Sequence, residues 1–439
     1  MGKQILVIGA GKSATVLIEF LQKKLVENNW YMVLADADAN LAAKKWNNAP
    51  NGHSVGMDIL QQDQRVDLIK NADLVISMLP AFLHFEVAKD CLSMGKALFT
   101  ASYVDEQMKS IAKEIESKQL LFLCEMGLDP GIDHMSAMEL IDRIKSQNGQ
   151  ITGFKSHCGG LIAPESDNNP WHYKISWNPR NIILAGKAGA MYLENGKEIT
   201  KAYPSIFDHC SQVSVPNWGQ LSYYPNRDSL SYIKTYQLEG VQNFIRTTLR
   251  HPSFCAGWNW IVQMGLTNEE PHEKPFSTVA EWFEHQLSLS NVLTIWNKAN
   301  QDAMIKNQMD YLDFQSNLKI PETCTSNASI LQFILETKWA LSKTDKDAVV
   351  MMHEIDYLLD GKKHTIQSSL VLTGKDHEHT AMASTVGLPL AIAAEAYLKG
   401  ELTLTGLHIP TIPALYQPIL AKLKEEGIEF YEAELGSHS

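Results

Sequence analysis

An apolar run at Ile5-Leu6-Val7-Ile8 breaks at a glycine, and apolar residues then return at Val16, Leu17, Phe20 and Leu21. The first pattern suits a buried strand and the second one face of a helix, so the spacing predicts strand, turn, helix. Four further short apolar runs follow, "YMVLAD", "HSVGMD", "ADLVISMLP" and "ALFTASY", each separated from the next by sequence of helical character. Repeated βα units of this kind predict an α/β fold with a parallel, doubly wound sheet over residues 1–125.

Beyond residue 125 the pattern changes. "ITGFKSHCGGLIAP" predicts a strand that runs into a glycine turn at Gly159-Gly160. "NNPWHYKISWNPRNIILAG" is rich in aromatics and punctuated by Pro170 and Pro179. From about 239 to 345 helical spacing dominates, as in "TVAEWFEHQLSLSNVLTIW", and these segments read as core. Alternation returns in "DAVVMMHEIDYLLDGKKHTIQSSLVLTG", two strands joined as a hairpin at Asp360-Gly361. A small-residue helix, "TAMASTVGLPLAIAAEAYLKG", and an amphipathic segment, "ALYQPILAKLKEEG", come last.

The first turn carries chemistry. In Gly9-x-Gly11-x-x-Ala14, Gly9 permits a tight turn, Gly11 lets the backbone approach a pyrophosphate, and Ala14 lets helix and strand pack closely. Lys12 and Ser13 fall at the helix N-terminus, whose unpaired N–H groups suit phosphates. The second strand ends in Asp36, where an acidic residue takes the ribose hydroxyls of a dinucleotide. A carboxylate there repels a 2′-phosphate, and no arginine follows in "ADAN", so NAD is expected as cofactor, with NADP the alternative. Helix capping is another reading of Asp36, and Asp38 could cap instead. Asp58, Leu79 and Pro80, at the ends of the next two runs, complete the expected cofactor contacts.

Composition narrows the class. A formal net charge of −12 argues against non-specific attraction to nucleic acid or acidic membranes. No uninterrupted apolar run approaches the ~20 residues of a bilayer span. The N-terminal apolar run is too short for a signal-peptide core. Six scattered cysteines without a C-x-x-C pair point to a reduced, cytoplasmic protein with no zinc cluster. The tight pair His377 and His379 lacks the further ligands of a metal site.

One segment concentrates ionisable groups. "CEMGLDPGIDH" sets Cys124, Glu125, Asp129, Asp133 and His134 around two glycines and a proline, directly after the apolar "LLFL". In an open parallel sheet ligands bind at the carboxyl ends of strands, which is where this segment falls. Together with "HCGGLIAPE", "NNPWHYKISWNPR", "YYPNRDSL" and "HTAMASTVGLP", in that order, it resembles the glutamate-forming saccharopine dehydrogenases across essentially the whole chain.

The resemblance implies three domains. A Rossmann-like cofactor domain would span 1–125 and 380–439, an α/β substrate domain 126–225 and 340–379, and a helical insertion 226–339. It implies a homodimer, and an NAD(P)-dependent reaction on the secondary amine that joins a lysine-derived semialdehyde to glutamate. Tyr103, Asp129 and Cys158 match the family residues that surround the reacting amine. An inert buried thiol remains the other reading of Cys158, packing that of Tyr103, and a plain helix start that of Asp129. His134 and His157 are reserve proton carriers or satisfied core histidines.

Substrate carboxylates call for cations and N–H groups. Arg227 is the best match, supported by Thr248, with Lys174 and Arg180 as further candidates and Ser102, Gly159 and Gly160 lining the site. An ion pair with Asp228 is the alternative for Arg227. Two departures stand out. The fungal members take NADP, and after "TASYV" the family usually continues with small residues and proline, where this chain has "DEQM". A related dehydrogenase acting on a polyamine precursor and a non-catalytic NAD sensor are the competing readings.

Overall fold

The computed structural model describes residues 2–438. The chain forms two compact units, Met1–Asn148 with Glu378–Glu429, and Gly149–His377 with Phe430–Ser439. This differs from the three blocks expected. Helix Ile132–Ser146 packs on helix Pro413–Glu425, and the Tyr416 hydroxyl donates to Asp142 at 2.6 Å. The first unit therefore runs past 125 to 148. The stretch 226–339 is not a separate body, because it contributes a central strand to the second unit and shares one apolar core with residues from 171 onward. The chain's end also departs, since Tyr431–His438 is a strand of the second sheet.

In the first unit, β1 (Gln4–Ile8), β2 (Tyr31–Asp36), β3 (Gly52–Gly56), β4 (Leu74–Ser77), β5 (Ala97–Thr100) and β6 (Leu121–Leu123) join Gly406–His408 in a seven-stranded sheet. Its order is Gly406–His408, β6, β5, β4, β1, β2, β3, and every pairing is parallel. Ile5, Leu6, Val7 and Ile8 are at most 1% exposed, which is why β1 reads as an unbroken apolar run. The strand order reverses between β1 and β4, the crevice where such sheets take dinucleotides. Helix α1 (Thr15–Asn28) packs against Ala381–Leu398. A Cβ on Gly387 would stand 2.9 Å from the Leu17 nitrogen, so glycine sets that close approach. Ala381–Leu398 is long and apolar enough to cross a membrane, but it is mostly buried inside the unit, as a core helix is.

The second unit is built on β7 (Gln150–Ile162). It pairs in parallel with Asn243–Arg250 on one side and antiparallel with Asp347–Leu359 on the other. The latter forms the expected hairpin with Lys362–Thr373, turning at Asp360 and Gly361, both at positive φ (51° and 76°). Strands Gly219–Pro225 and Ser211–Val215 extend one edge, and Tyr431–His438 closes the other. A core of Trp171, Trp258, Trp282 and Trp339, each fully buried, joins the "NNPWHY" segment to the helices between 252 and 338. The Trp171 indole N–H donates to the Gln308 carbonyl at 2.9 Å, and the Gln308 amide donates back to Pro170 O at 3.0 Å.

Candidate active site

The glycine turn has the geometry its sequence predicts. Gly9 sits at φ 107°, and a Cβ there would meet the Met78 carbonyl oxygen at 2.9 Å, so β1 and the end of β4 approach through it. A Cβ on Gly11 would meet nothing within 4 Å, which leaves open space for a phosphate at the backbone. Lys12–Ala14 forms a 3-10 turn that feeds α1, with Ala14 1% exposed. Asp36 accepts from the Ala10 N–H at 2.7 Å and the Asp38 N–H at 2.9 Å, fastening the turn to the end of β2. Helix Ala39–Trp46 is capped by Asp38, which accepts from Asn40 and Leu41. These features fit a dinucleotide. Asp58 departs from its expected role: its carboxylate accepts from Leu60 N at 3.0 Å and shapes a turn. Leu79 packs on the apolar core beside the sheet, and Pro80 precedes a short 3-10 turn at Ala81–Leu83.

After β6 the chain enters a knot of hydrogen bonds. Gly127 N–H donates to Pro130 O, and Ile132 N–H to Gly127 O, both at 2.9 Å. Gly131, at φ 147°, has no room for a side chain, since a Cβ would lie 2.0 Å from the Gly127 oxygen. Helix Ile132–Ser146 begins there without a side-chain cap, so Asp129 is no cap, and Asp133 accepts instead from Gly131 N–H at 2.6 Å. Between Leu121 and Met138 every residue is buried except Asp129. The Tyr103 hydroxyl donates to Asp129 Oδ1 at 2.9 Å, so the structure brings two of the expected catalytic residues together. Ser102 lies beside them and bonds His84 Nε2 at 2.7 Å, whose Nδ1 meets Ser77 Oγ at 2.8 Å. Burial lowers the His84 pKa to about 4. The atypical "DEQM" forms helix Glu106–Ser110, capped by Asp105.

The third expected catalytic residue, Cys158, belongs to the second unit, on β7. Gly159 and Gly160 are not a turn: the strand continues through them to Ile162. Their role is close packing, because a Cβ on Gly159 would meet Leu249 O at 2.6 Å. Cys158 stands opposite Thr248, which stands opposite Tyr224. Alternation along the strand places Arg250 on that same face.

The cations distribute differently from expectation. Lys174 is not available to a ligand's carboxylate, since its Nζ lies 2.7 Å from Asp345 Oδ2 with both side chains buried. Arg227 is exposed in the two-residue strand Arg227–Asp228, at φ 53°, and Arg180 pairs with Glu269. His157 is a satisfied core histidine, bonded to Thr247 at 2.7 Å and Glu354 at 3.2 Å. The residue missed from sequence is Arg250. It is 4% exposed, its guanidinium lies over Tyr173 and Phe254, and Nη1 donates to Leu249 O. Its Nε has no partner, and no described carboxylate lies within ion-pair distance of it. A buried cation without a counter-ion is costly. Among the described residues, no group of three or more His, Cys, Asp or Glu is placed to hold a metal.

Two family models cover the chain: the saccharopine dehydrogenase NADP binding domain over residues 5–123, and the saccharopine dehydrogenase C-terminal domain over 127–428. The chain is 32% identical to the alpha-aminoadipic semialdehyde synthase of Mus musculus over 98% of its own length and 47% of that protein's. It thus spans about half of that relative. It is 29% identical to the saccharopine dehydrogenase [NADP(+), L-glutamate-forming] of Schizosaccharomyces pombe, covering 98% of each chain. The solved apo saccharopine dehydrogenase (L-Glu forming) of Saccharomyces cerevisiae superposes with a TM-score of 0.88 at 28% identity, over 99% of this chain and 100% of that one. With a family model matching well over half its residues, the chain belongs to the saccharopine dehydrogenase family.

Proposed function

We propose that the chain is a glutamate-forming saccharopine dehydrogenase that prefers NAD. The reading is carried by Arg250, a sealed cation without an internal counter-ion on the face of Cys158 and Thr248. Saccharopine bears three carboxylates, and one of them would complete this site. A diamine substrate would require carboxylates where the chain puts Arg250, which disfavours the polyamine reading.

A dinucleotide held by the Gly9–Ala14 turn and Asp36 would supply a hydride acceptor for the carbon next to the secondary amine. The imine so formed takes up water, and the C–N bond then breaks to give 2-aminoadipate 6-semialdehyde and glutamate. The chain's own groups serve the steps around this. Asp129 presents a half-exposed carboxylate that suits the cationic amine and imine, and Tyr103 orients it through its hydroxyl. Cys158 stands as the further polar group of the second unit. The NAD preference rests on Asp36 and Asp38 at the end of β2. The nearest following cations are engaged elsewhere, Lys44 with Glu378 and Lys45 with the Thr15 hydroxyl. A homodimer in a reducing, cytoplasmic setting is part of the proposal, supported by the resemblance and by six free thiols.

Absorbance at 340 nm, with saccharopine, amine–semialdehyde pairs of the polyamine type and both dinucleotides, tests this. Turnover of saccharopine with a higher kcat/KM for NAD than NADP is expected. Turnover of the diamine pairs alone would transfer the chain to the polyamine reading, and dinucleotide binding with no turnover to the sensor reading.

A further inference from the structure

Glu125 has no part in the steps above, yet it is placed unusually. It is 3% exposed and holds a left-handed backbone, φ 57°, which a residue with a side chain adopts only when its surroundings enforce it. Its backbone N–H donates to Ser102 O at 3.0 Å, and its Oε1 accepts from Val104 N–H at 3.0 Å. Both neighbours of Tyr103 are therefore gripped by one residue. Its second oxygen lies 2.8 Å from His134 Nε2, and the His134 backbone N–H donates to Gly131 O at 3.0 Å. His134 is fully buried. Gly131 closes the loop that bears Asp129, so the pair ties the tyrosine segment to the aspartate loop at its base.

We infer that Glu125, backed by His134, is a positioning residue that sets the Tyr103–Asp129 contact. The inference rests on the proposed reaction only for its kinetic readout. The left-handed backbone has a reason on this account: an ordinary right-handed or extended φ would turn the side chain away from Val104. The acceptor matters more than the charge, because Val104 needs only an oxygen.

The test uses the full chain with saccharopine and dinucleotide. Glu125→Ala should lower kcat by roughly 10- to 100-fold through misplacement of Tyr103, with the dinucleotide KM unchanged. Glu125→Gly relieves the backbone strain and should melt higher than the alanine variant without recovering turnover. Glu125→Gln keeps an acceptor for Val104 and should recover most of it. Adding Tyr103→Phe to Glu125→Ala should cost little beyond the slower single variant. Turnover that tracks melting temperature, or losses that multiply, would overturn the inference. Should the alanine variant not fold, the glycine variant carries the same comparison. Tyrosine 13Cζ spectra, with Tyr103 assigned from Tyr103→Phe, give a readout without catalysis. The Tyr103 resonance should move in Glu125→Ala and stay in Glu125→Gln. If wild type fails to turn over saccharopine, the functional reading falls while this spectrum still decides the positioning; an unmoved resonance ends it.

Discussion

Arg250 holds a positive charge inside the second unit, bonded to the Leu249 carbonyl, stacked on Tyr173 and Phe254 and close to the Cys158 and Cys255 thiols, with no carboxylate partner among the described residues. Such a group lowers stability in the absence of ligand, which gives its replacement an unusual signature. Arg250→Met keeps the length and removes the charge. The melting temperature should hold or rise, by an amount equivalent to about 1 kcal/mol or more, while the saccharopine KM rises at least about a hundredfold. A variant that melts lower at an unchanged KM would make Arg250 a structural cation. This residue was not singled out from the sequence, where only Thr248 of "RTTLRH" was, because the burial of Arg250 is set by the fold and not by its local sequence. Lys174 shows the opposite failure, because its partner Asp345 is remote in sequence and only the fold pairs them. Gly9 and Gly11 were legible because turn geometry is a local property of the chain, whereas Tyr103 and Asp129 were singled out through the resemblance and the structure shows them hydrogen-bonded.

At the scale of elements, the parallel sheet followed directly from its apolar runs, while strand Asn243–Arg250 escaped notice. It lies in the middle of a sheet but carries Arg246, Thr247, Thr248 and Arg250, so period and polarity gave conflicting signals. One cross-strand bond in this sheet has a pH consequence. Glu354, on the strand next to β7, has its pKa at about 2: burial works to raise it, and the His157 bond and charge, with Gln367 and Lys155, outweigh that. A carboxyl whose folded pKa lies below its unfolded one contributes stability above the unfolded value and loses it as pH falls through the folded one. The second unit should therefore lose stability from about pH 4.5 toward pH 2. Glu354→Gln should melt lower at neutral pH and show a shallower decline between about pH 5 and pH 3. An unchanged acid slope would assign the loss to other carboxylates.

At the scale of the molecule, each unit is assembled from separated stretches of chain, and the second stretch of the first unit begins only at Glu378. Helix Ala381–Leu398 packs on α1, with Gly387 against Leu17, and Gly406–His408 covers the edge of β6. This gives synthesis on the ribosome a particular order. The nucleotide sheet emerges before the helix that covers it and waits, with that face of α1 and that edge open, until more than two hundred further residues have been made. During that interval it is a nascent chain with exposed apolar surface and an unpaired strand, the combination that draws chaperones and favours aggregation. Residues 1–148 expressed alone should be insoluble or bind no dinucleotide, and co-expression of 378–429 should restore binding. A soluble, dinucleotide-binding 1–148 would mean that the late helix merely decorates a finished fold. Otherwise the cofactor site becomes competent only once residues 378–429 have been made, and a chain halted before them carries the glycine turn without the means to use it.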